Sequence, residues 1–361
     1  MNRSVTRIVC AAAAGIAVNG SGLAEAGAAG AAPARSFGPS ASLPVFGFLN
    51  GVAATSARNV WAVGGTNGGK TLIVHWNGSA WRRVPSPTSA GGVLTAVAAT
   101  SARNVWAVGR INFSTMLILH WNGTAWKRVP SPTPAGGILT GVAATSATNV
   151  WAVGQINFNT VLILHWNGRA WKRVPSPTPA GGHVLLSVTG VAATSARSAW
   201  AVGQINASRS LILHWNGRAW QKGPSLRLRP GLMAVTATSA TDTWAVGQYQ
   251  DFRKTLILHR NGSTWTRVPS PSPGPGAFLD AVGAISDRNA WAVGVTGGAT
   301  ALILHWNGAT WKQVPSASPG SLRGVAATSA TNAWAVGQIE FRRDVFKILI
   351  LHWNGTAWKR R

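Results

Sequence analysis

The stretch LTGVAATSATNVWAVGQINFNTVLILHWNGRAWKRV, residues 139–174, decides the fold of this 361-residue chain. β-branched and aromatic residues dominate it, and Gly, Asn or Pro interrupts it at short intervals, which favours strands over helices. Asn167-Gly168 between two apolar runs is typical of a tight β-hairpin, because both residues tolerate positive φ. The stretch therefore predicts four short antiparallel strands, at residues 139–147, 149–155, 161–166 and 170–174.

The same unit recurs seven times. The motif WAVG begins at intervals of 43 to 49 residues, at Trp61, Trp106, Trp151, Trp200, Trp244, Trp291 and Trp334. A period of 40 to 50 residues with several strands per repeat is the signature of propeller blades. We therefore predict an all-β, seven-bladed β-propeller of four-stranded antiparallel blades at residues 43–361. Its blades should start near residues 49, 94, 139, 188, 232, 279 and 322.

The repeat resembles the kelch repeat of the galactose-oxidase-type propellers. A second strand ending in Val63-Gly64-Gly65, followed by two aromatic residues such as Trp76 and Trp81, is similar to the glycine doublet and the aromatic pair of that family. The chain departs from the pattern where Trp replaces Tyr and where the second glycine becomes Gln155 or another residue. The resemblance covers about residues 49–361 and implies the fold more firmly than any activity.

The amino-terminal segment has the features of an export signal. Arg3 and Arg7 precede an apolar run at residues 8–18, and small residues end in the A-x-A pattern of residues 24–26. We predict a signal peptide at residues 1–26, a flexible Ala/Gly/Pro/Ser lead-in at 27–42, and a secreted protein without a membrane span. The one cysteine, Cys10, lies in the signal, so no disulfide or thiolate site is expected.

The 20 tryptophans follow the repeat strictly. All of them fall on three repeat positions, and the one position of the 21 that lacks Trp carries Arg260. A large apolar side chain repeated in every blade predicts an inter-blade core. Sugar-binding platforms would instead use irregular, exposed Trp residues, and the sequence has none.

Catalytic and metal chemistry is disfavoured, and no cofactor is expected. Seven of the eight histidines share one repeat position on the third strand, where their rings would lie in separate blades and could not converge on one metal ion. His183 alone lies in a loop. Glycoside hydrolysis normally needs two carboxylates at a fixed separation. The carboxylates that follow residue 26 show no recurrent pairing, and they are Asp242, Asp251, Asp280, Asp287, Glu340 and Asp344.

The net charge of +26 has two interpretations. Lys and Arg concentrate on the fourth strand of each blade, as in Lys127-Arg128 and Lys172-Arg173. Cations on an open sheet edge discourage aggregation between strands. A belt of cations also suits an anionic wall polymer or a nucleic acid held in a salt-sensitive way. The sequence leaves both interpretations open, with nucleic acid the less favoured partner.

The loops that vary between repeats indicate a ligand face. The segments joining the second strand to the third, and one blade to the next, vary between repeats and should share one face of an up-and-down blade. A ligand without seven-fold symmetry must be recognised by residues that differ between blades. The candidate binding residues, against the alternative of simple sequence drift, are Arg110, Asn112, Phe113, Asn157, Phe158, Asn206, Arg209, Tyr249, Asp251, Arg253, Glu340, Phe341, Arg342 and Arg343.

Together these features predict a secreted, monomeric, non-catalytic binding or scaffolding module. Its partner would be a protein, a glycan or an anionic polymer at the cell envelope. One alternative is a lectin-like or wall-polymer binder, and another is an enzyme of unrecognised type. The last blade lacks the Val-Pro-Ser-Pro tail of the early blades, so residues 43–48 could add to its outer edge and lock the ring.

Overall fold

A computed structural model describes residues 43, 46–88, 91–112, 115–132, 136–157, 159–177, 186–205, 209–224, 231–249, 254–316 and 318–361. These residues form a seven-bladed β-propeller, as predicted, with four antiparallel strands in every blade. None of the described segments is a helix long and apolar enough to cross a membrane. The predicted signal peptide, the lead-in and His183 lie outside the described residues.

The strands of the first four blades follow the repeat closely. Blade one contains β1 (Phe48–Ser56), β2 (Asn59–Gly65), β3 (Thr71–Trp76) and β4 (Trp81–Arg83). Blade two contains β5 (Gly92–Ser101), β6 (Asn104–Ile111), β7 (Thr115–Trp121) and β8 (Trp126–Arg128). Blade three contains β9 (Gly137–Ser146), β10 (Asn149–Ile156), β11 (Thr160–Trp166) and β12 (Trp171–Arg173). Blade four contains β13 (Leu186–Ser195), β14 (Ser198–Ile205), β15 (Arg209–Trp215) and β16 (Trp220–Lys222).

The last three blades complete the ring. Blade five contains β17 (Gly231–Ala237), β18 (Asp242–Tyr249), β19 (Lys254–Asn261) and β20 (Thr264–Arg267). Blade six contains β21 (Phe278–Ser286), β22 (Asn289–Val295), β23 (Ala301–Trp306) and β24 (Trp311–Gln313). Blade seven contains β25 (Ser321–Ser329), β26 (Asn332–Arg342), β27 (Val345–Trp353) and β28 (Trp358–Arg360). Each sheet has the strand order of the sequence, and the first strands of successive blades pack against one another at the centre.

The glycine of the WAVG motif is required by a close approach of two backbones. A Cβ atom on Gly154 would lie 1.9 Å from the carbonyl oxygen of Ile138 on the neighbouring inner strand. The equivalent glycine of every other blade meets the same obstacle at 1.9 to 2.1 Å. A side chain there would push the first and second strands apart. Steric fit therefore explains why this position is always glycine.

The tryptophans form the contacts between blades. Trp61 of β2 is buried, stacks on His75 of its own blade at 4.2 Å between centroids, and reaches the next blade. There its ring lies 5.0 Å from Trp121 and 5.4 Å from Trp126, the latter edge to face. Such pairs add stabilisation beyond simple area burial. The structure confirms the predicted core role of the Trp positions. Six of the seven blade interfaces have this arrangement, and at the seventh Arg260 replaces one Trp against Trp200.

Blade seven closes on blade one through the same contacts. Trp334 packs 5.1 Å from Trp76 and 5.2 Å from Trp81. The segment before β1 joins the last blade, because Gly47 N donates a hydrogen bond of 2.8 Å to Phe346 O and Phe46 pairs with Lys347. This contact lies on the outer side of β27, beyond the end of the short β28. Residues 46 and 47 thus lie beside the third strand of blade seven, as Pro319 pairs with Thr300 beside the third strand of blade six. Residues 44 and 45 lie outside the described part of the chain.

Candidate functional site at the loop face

The variable loops meet on one side of the ring, which we call the loop face. It comprises the turns between second and third strands and the tails that lead from one blade to the next. Hydrogen bonds join the two kinds of segment, from Gly92 N to Gly69 O at 2.9 Å and from Gly320 N to Ala299 O at 2.7 Å. The described parts of the segments that differ most between repeats therefore lie together on one face of the ring.

Two predicted site residues, Asn112 and Asn157, have structural roles in the loop backbone. Asn112 and Asn157 have φ of 52° and 48°, a left-handed conformation that Asn adopts more readily than most residues. The backbone N–H of each donates to a glycine of the preceding tail, Asn112 to Gly91 O and Asn157 to Gly136 O. Both Asn residues therefore fix the backbone conformation of their loops. Among the other candidates, Arg209 is exposed, Arg110 is half-buried, and Phe113, Phe158, Asn206, Asp251 and Arg253 lie outside the described residues.

Tyr249 is packed inside the protein. Its side chain is only 7% exposed, and the guanidinium of Arg267 lies 4.2 Å from its ring centroid. Arg267 Nη2 also donates a hydrogen bond of 2.5 Å to the hydroxyl oxygen. The contact joins the end of the second strand to the fourth strand within blade five. In this arrangement Tyr249 stabilises the blade and offers no ring face to a ligand.

The remaining four candidates lie together on an elongated hairpin in blade seven. β26 and β27 extend past the core, with Glu340 opposite Phe346 and Arg342 opposite Val345. Asp344, with φ of 61°, forms the turn. Phe341 points outward and is 54% exposed. Glu340, Phe341, Arg342 and Arg343 thus share one projecting element, which we call the blade-seven hairpin (residues 339–347).

Two residues that sequence reasoning missed complete this cluster. Phe46, 44% exposed, meets Phe341 edge to face at 5.8 Å. The Lys347 ammonium lies 3.8 Å from the Phe341 ring centroid and 5.9 Å from that of Phe46, within cation–π range. Phe46 and Phe341 are the two exposed large hydrophobic side chains of the described residues. The one sequence signal for Phe46 was its place in the segment predicted to close the ring.

The hairpin is held in a defined position by blade one. Asn67 Nδ2 donates to Phe346 O at 3.1 Å, and Phe346 N donates to Asn67 Oδ1 at 3.4 Å. The ring of Phe346 packs edge to face on Phe48 at 6.3 Å. A side-chain amide that pairs with both backbone groups of one residue acts as an added rung of the sheet. The aromatic cluster is therefore presented by an anchored element rather than by an isolated loop.

The repeated histidines are structural. The Nε2 atom of His75 donates to Asn59 Oδ1 at 2.8 Å while its ring stacks on Trp61. Burial lowers the pKa of His75 to about 4, so the ring is neutral near pH 7. Burial also lowers the pKa values of His120, His165, His214, His305 and His352. Across the described part of the chain, no group of three or more His, Cys, Asp or Glu side chains could hold a metal ion.

A second group of unlike residues surrounds the centre of the ring. A bulge in each inner strand carries Asn50, Thr95, Thr140, Thr189, Met233, Asp280 or Arg323. The Asn and Thr side chains donate to the backbone of the next blade, as Asn50 Nδ2 does to Leu94 O at 2.8 Å. Burial raises the pKa of Asp280 to about 7, and the nearby Arg323 guanidinium opposes that rise. Most residues of this central group therefore link neighbouring blades through hydrogen bonds.

Comparison with solved structures supports the architecture. YCF48 from Cyanidioschyzon merolae is 15% identical with a TM-score of 0.58, covering 85% of this chain and 97% of that one. The BP39L lectin from Burkholderia pseudomallei is 18% identical with a TM-score of 0.59, covering 84% and 94%. The Aleuria aurantia lectin in complex with Fucα1-6GlcNAc is 14% identical with a TM-score of 0.54, covering 77% and 96%.

At these identities the likeness extends to the propeller fold alone. No protein-family model matches the chain, and no curated protein matches it either. The resemblance to kelch repeats therefore stays a prediction from the sequence. The seven-bladed propeller itself stands on the strand order and register of every blade.

Proposed function

We propose that this chain is a secreted, non-catalytic binding protein of the cell envelope that recognises a glycan at the blade-seven hairpin. The exposed pair of Phe46 and Phe341 beside Lys347 carries the proposal. Contiguous apolar groups exposed on a soluble protein often mark an interaction site, and Trp, Tyr and Phe rings are common anchors there. Aromatic faces pack against the C–H groups of sugars, while Lys347, Arg342 and Arg343 supply donors for hydroxyl or acidic groups.

Known propellers of this shape are compatible with such a role. The Aleuria aurantia lectin is described in complex with a fucosylated disaccharide, and a YCF48 structure is described as bound to a D1 peptide. A peptide would use the same aromatic anchors, so it is an outcome of the test. The export pattern of residues 1–26 supports placement outside the cell, which sequencing the amino terminus of the protein recovered from culture medium would test.

The proposal is tested by glycan-array binding of the chain beginning at Gly27, at low and near-physiological salt. We expect salt-resistant binding that falls at least about tenfold in Phe341→Ala/Arg342→Ala, since truncating a hot-spot residue costs about 2 kcal/mol or more. Phe341→Trp should retain binding, and Arg169→Ala, in a turn of the opposite face, is the charge control. Binding that the double variant leaves unchanged would place recognition elsewhere, and binding of acidic peptides alone would replace the glycan with a protein partner.

A further inference from the structure

The outer edges of blades two and three contain matching open cavities. In blade two a cavity of about 310 Å³ is lined by Met116, Arg128, Val129, Pro130 and Ser131. In blade three a cavity of about 420 Å³ is lined by Thr160, Val161, Arg173, Val174, Pro175 and Ser176. Both arise because the fourth strand is three residues long and the Val-Pro-Ser tail then runs beside the exposed edge of the third strand. Adjacent blades thus present similar cavities at equivalent positions of their outer edges.

Each cavity has one unpaired cation. Arg128 and Arg173 are exposed at the ends of β8 and β12, and they pair in register with Leu119 and Leu164 of the third strands. Neither guanidinium has an ion pair or hydrogen bond within the described residues. Guanidinium groups bind phosphate and carboxylate through parallel hydrogen bonds. The chemistry of the two cavities therefore suits an anionic group beside an aliphatic or sugar-like surface.

The same register position is cationic in most other blades. Arg83, Lys222, Arg267 and Arg360 occupy it, and only blade six differs, with Gln313. In blade five, Arg267 donates a hydrogen bond to the Tyr249 hydroxyl, so this cation is less available to bind an anion. A single exposed cation binds an anion weakly because water and salt screen it. A polymer that reaches several such cations gains from effective concentration, by about 10² to 10⁴-fold in favourable geometries.

We propose that the cavities of blades two and three bind successive anionic groups of one phosphate- or carboxylate-bearing polyol or sugar polymer. The inference rests on the proposed role as a binding module, and it names a second site, on blades two and three, separate from the blade-seven hairpin. Single-stranded nucleic acid is disfavoured here, because base stacking needs exposed aromatic faces. The Trp rings next to these cations, Trp126 and Trp171, are buried between blades.

The test compares two double variants with equal loss of charge. Arg128→Gln/Arg173→Gln removes the cavity cations, and Gln313 shows that glutamine occupies this register position in blade six. Lys127→Gln/Lys172→Gln removes exposed cations from the same strands, where alternation directs them to the opposite sheet face. Binding of poly(glycerol phosphate), polygalacturonate, neutral dextran and single-stranded DNA is measured by calorimetry over a range of salt, and melting temperatures report folding.

We expect an affinity loss of at least about tenfold for the cavity variant and less than about twofold for the control. The cavity variant should also lower the slope of log affinity against log salt by about 1.4, at about 0.7 per lost contact. The two polymers distinguish phosphate from carboxylate as the preferred anion. Equal losses in both variants, no binding of either polymer, or tighter binding of DNA would each overturn the inference. A loss confined to Phe341→Ala/Arg342→Ala would also overturn it while leaving the proposed function intact.

Discussion

Arg260 takes the place of a tryptophan against Trp200. Its guanidinium carbon lies 4.8 Å from the centroid of the Trp200 ring, and its Nη1 donates to Ala240 O at 2.8 Å. In the other six blades the third-strand Trp packs against the preceding WAVG Trp and donates Nε1 to the equivalent carbonyl, as Trp76 does to Ala57 O at 3.1 Å. Arginine thus reproduces both contacts, because it is planar, apolar on its faces and a donor at its edge.

Arg260→Ala should therefore destabilise the protein by about 1 kcal/mol, mainly through loss of the cation–π contact with Trp200, because the hydrogen bond to the Ala240 carbonyl is solvent-exposed. Arg260→Trp should hold or raise stability, because it restores the arrangement of the other six interfaces. The measurement is the free energy of unfolding in urea. An alanine variant as stable as the parent would show that the contact contributes nothing.

Acidification should weaken the fold through the stacked histidines. Burial lowers the pKa values of six of them, that of His75 to about 4, so the folded chain binds fewer protons than the unfolded chain below about pH 6.5. Their contribution to stability is complete above pH 6.5 and is lost as the pH falls toward 4. We expect the melting temperature to drop between pH 7 and pH 5, and His75→Asn to reduce that drop. A flat profile over this range would contradict the prediction.

Asp280 should make the fold less stable as the pH rises, which is opposite to the effect of the histidines. Its pKa is raised from about 3.8 to about 7, so the folded chain holds a proton that the unfolded chain releases. The associated stability is present below pH 4 and is lost as the pH rises to about 7. Asp280→Asn should consequently raise the melting temperature at pH 8 and have little effect at pH 4. Asn50 occupies the same bulge in blade one and donates to the next blade, which makes asparagine a suitable replacement. A change of equal size at both pH values would refute this account.

Removing residues 43–47 should loosen the closure of the ring. The deletion eliminates the bond from Gly47 N to Phe346 O and exposes the outer side of β27. We expect a lower melting temperature than in a chain that begins at residue 41, which keeps the contact and serves as the control. Equal melting temperatures would mean that the Trp334 contacts with blade one suffice to hold the ring.

The repeat allowed most of the fold to be predicted, because each strand position is sampled seven times. For blade three, the predicted segments at 139–147 and 149–155 correspond to Gly137–Ser146 and Asn149–Ile156. The last strand was predicted too long, since β12 ends at Arg173 where its pairing with Leu164 ends. Strand ends depend on pairing partners, and periodicity alone does not show where a partner runs out.

The site was less predictable for the same reason. Loop residues do not recur, so each had to be judged by residue type alone. Tyr249 is an example of the error that results. An aromatic residue in a variable position suggests a ligand contact, yet Arg267, eighteen residues later, covers it. Phe46 and Lys347 lie 301 residues apart in sequence and meet only because the ring closes. Contacts made by closure leave no local pattern in the sequence.

The near-identity of the blade interfaces also bears on how the chain assembles. Six of the seven are built from a WAVG Trp against two Trp of the following blade, so these surfaces alone do not distinguish one neighbour from another. The order of blades then depends on the short tails that tether each blade to the next. During refolding at high concentration, a blade from a second molecule could compete for any of these six surfaces. The interface of Trp200 with Arg260 is chemically distinct from the other six. During assembly, this one interface therefore distinguishes its correct neighbour from the other blades.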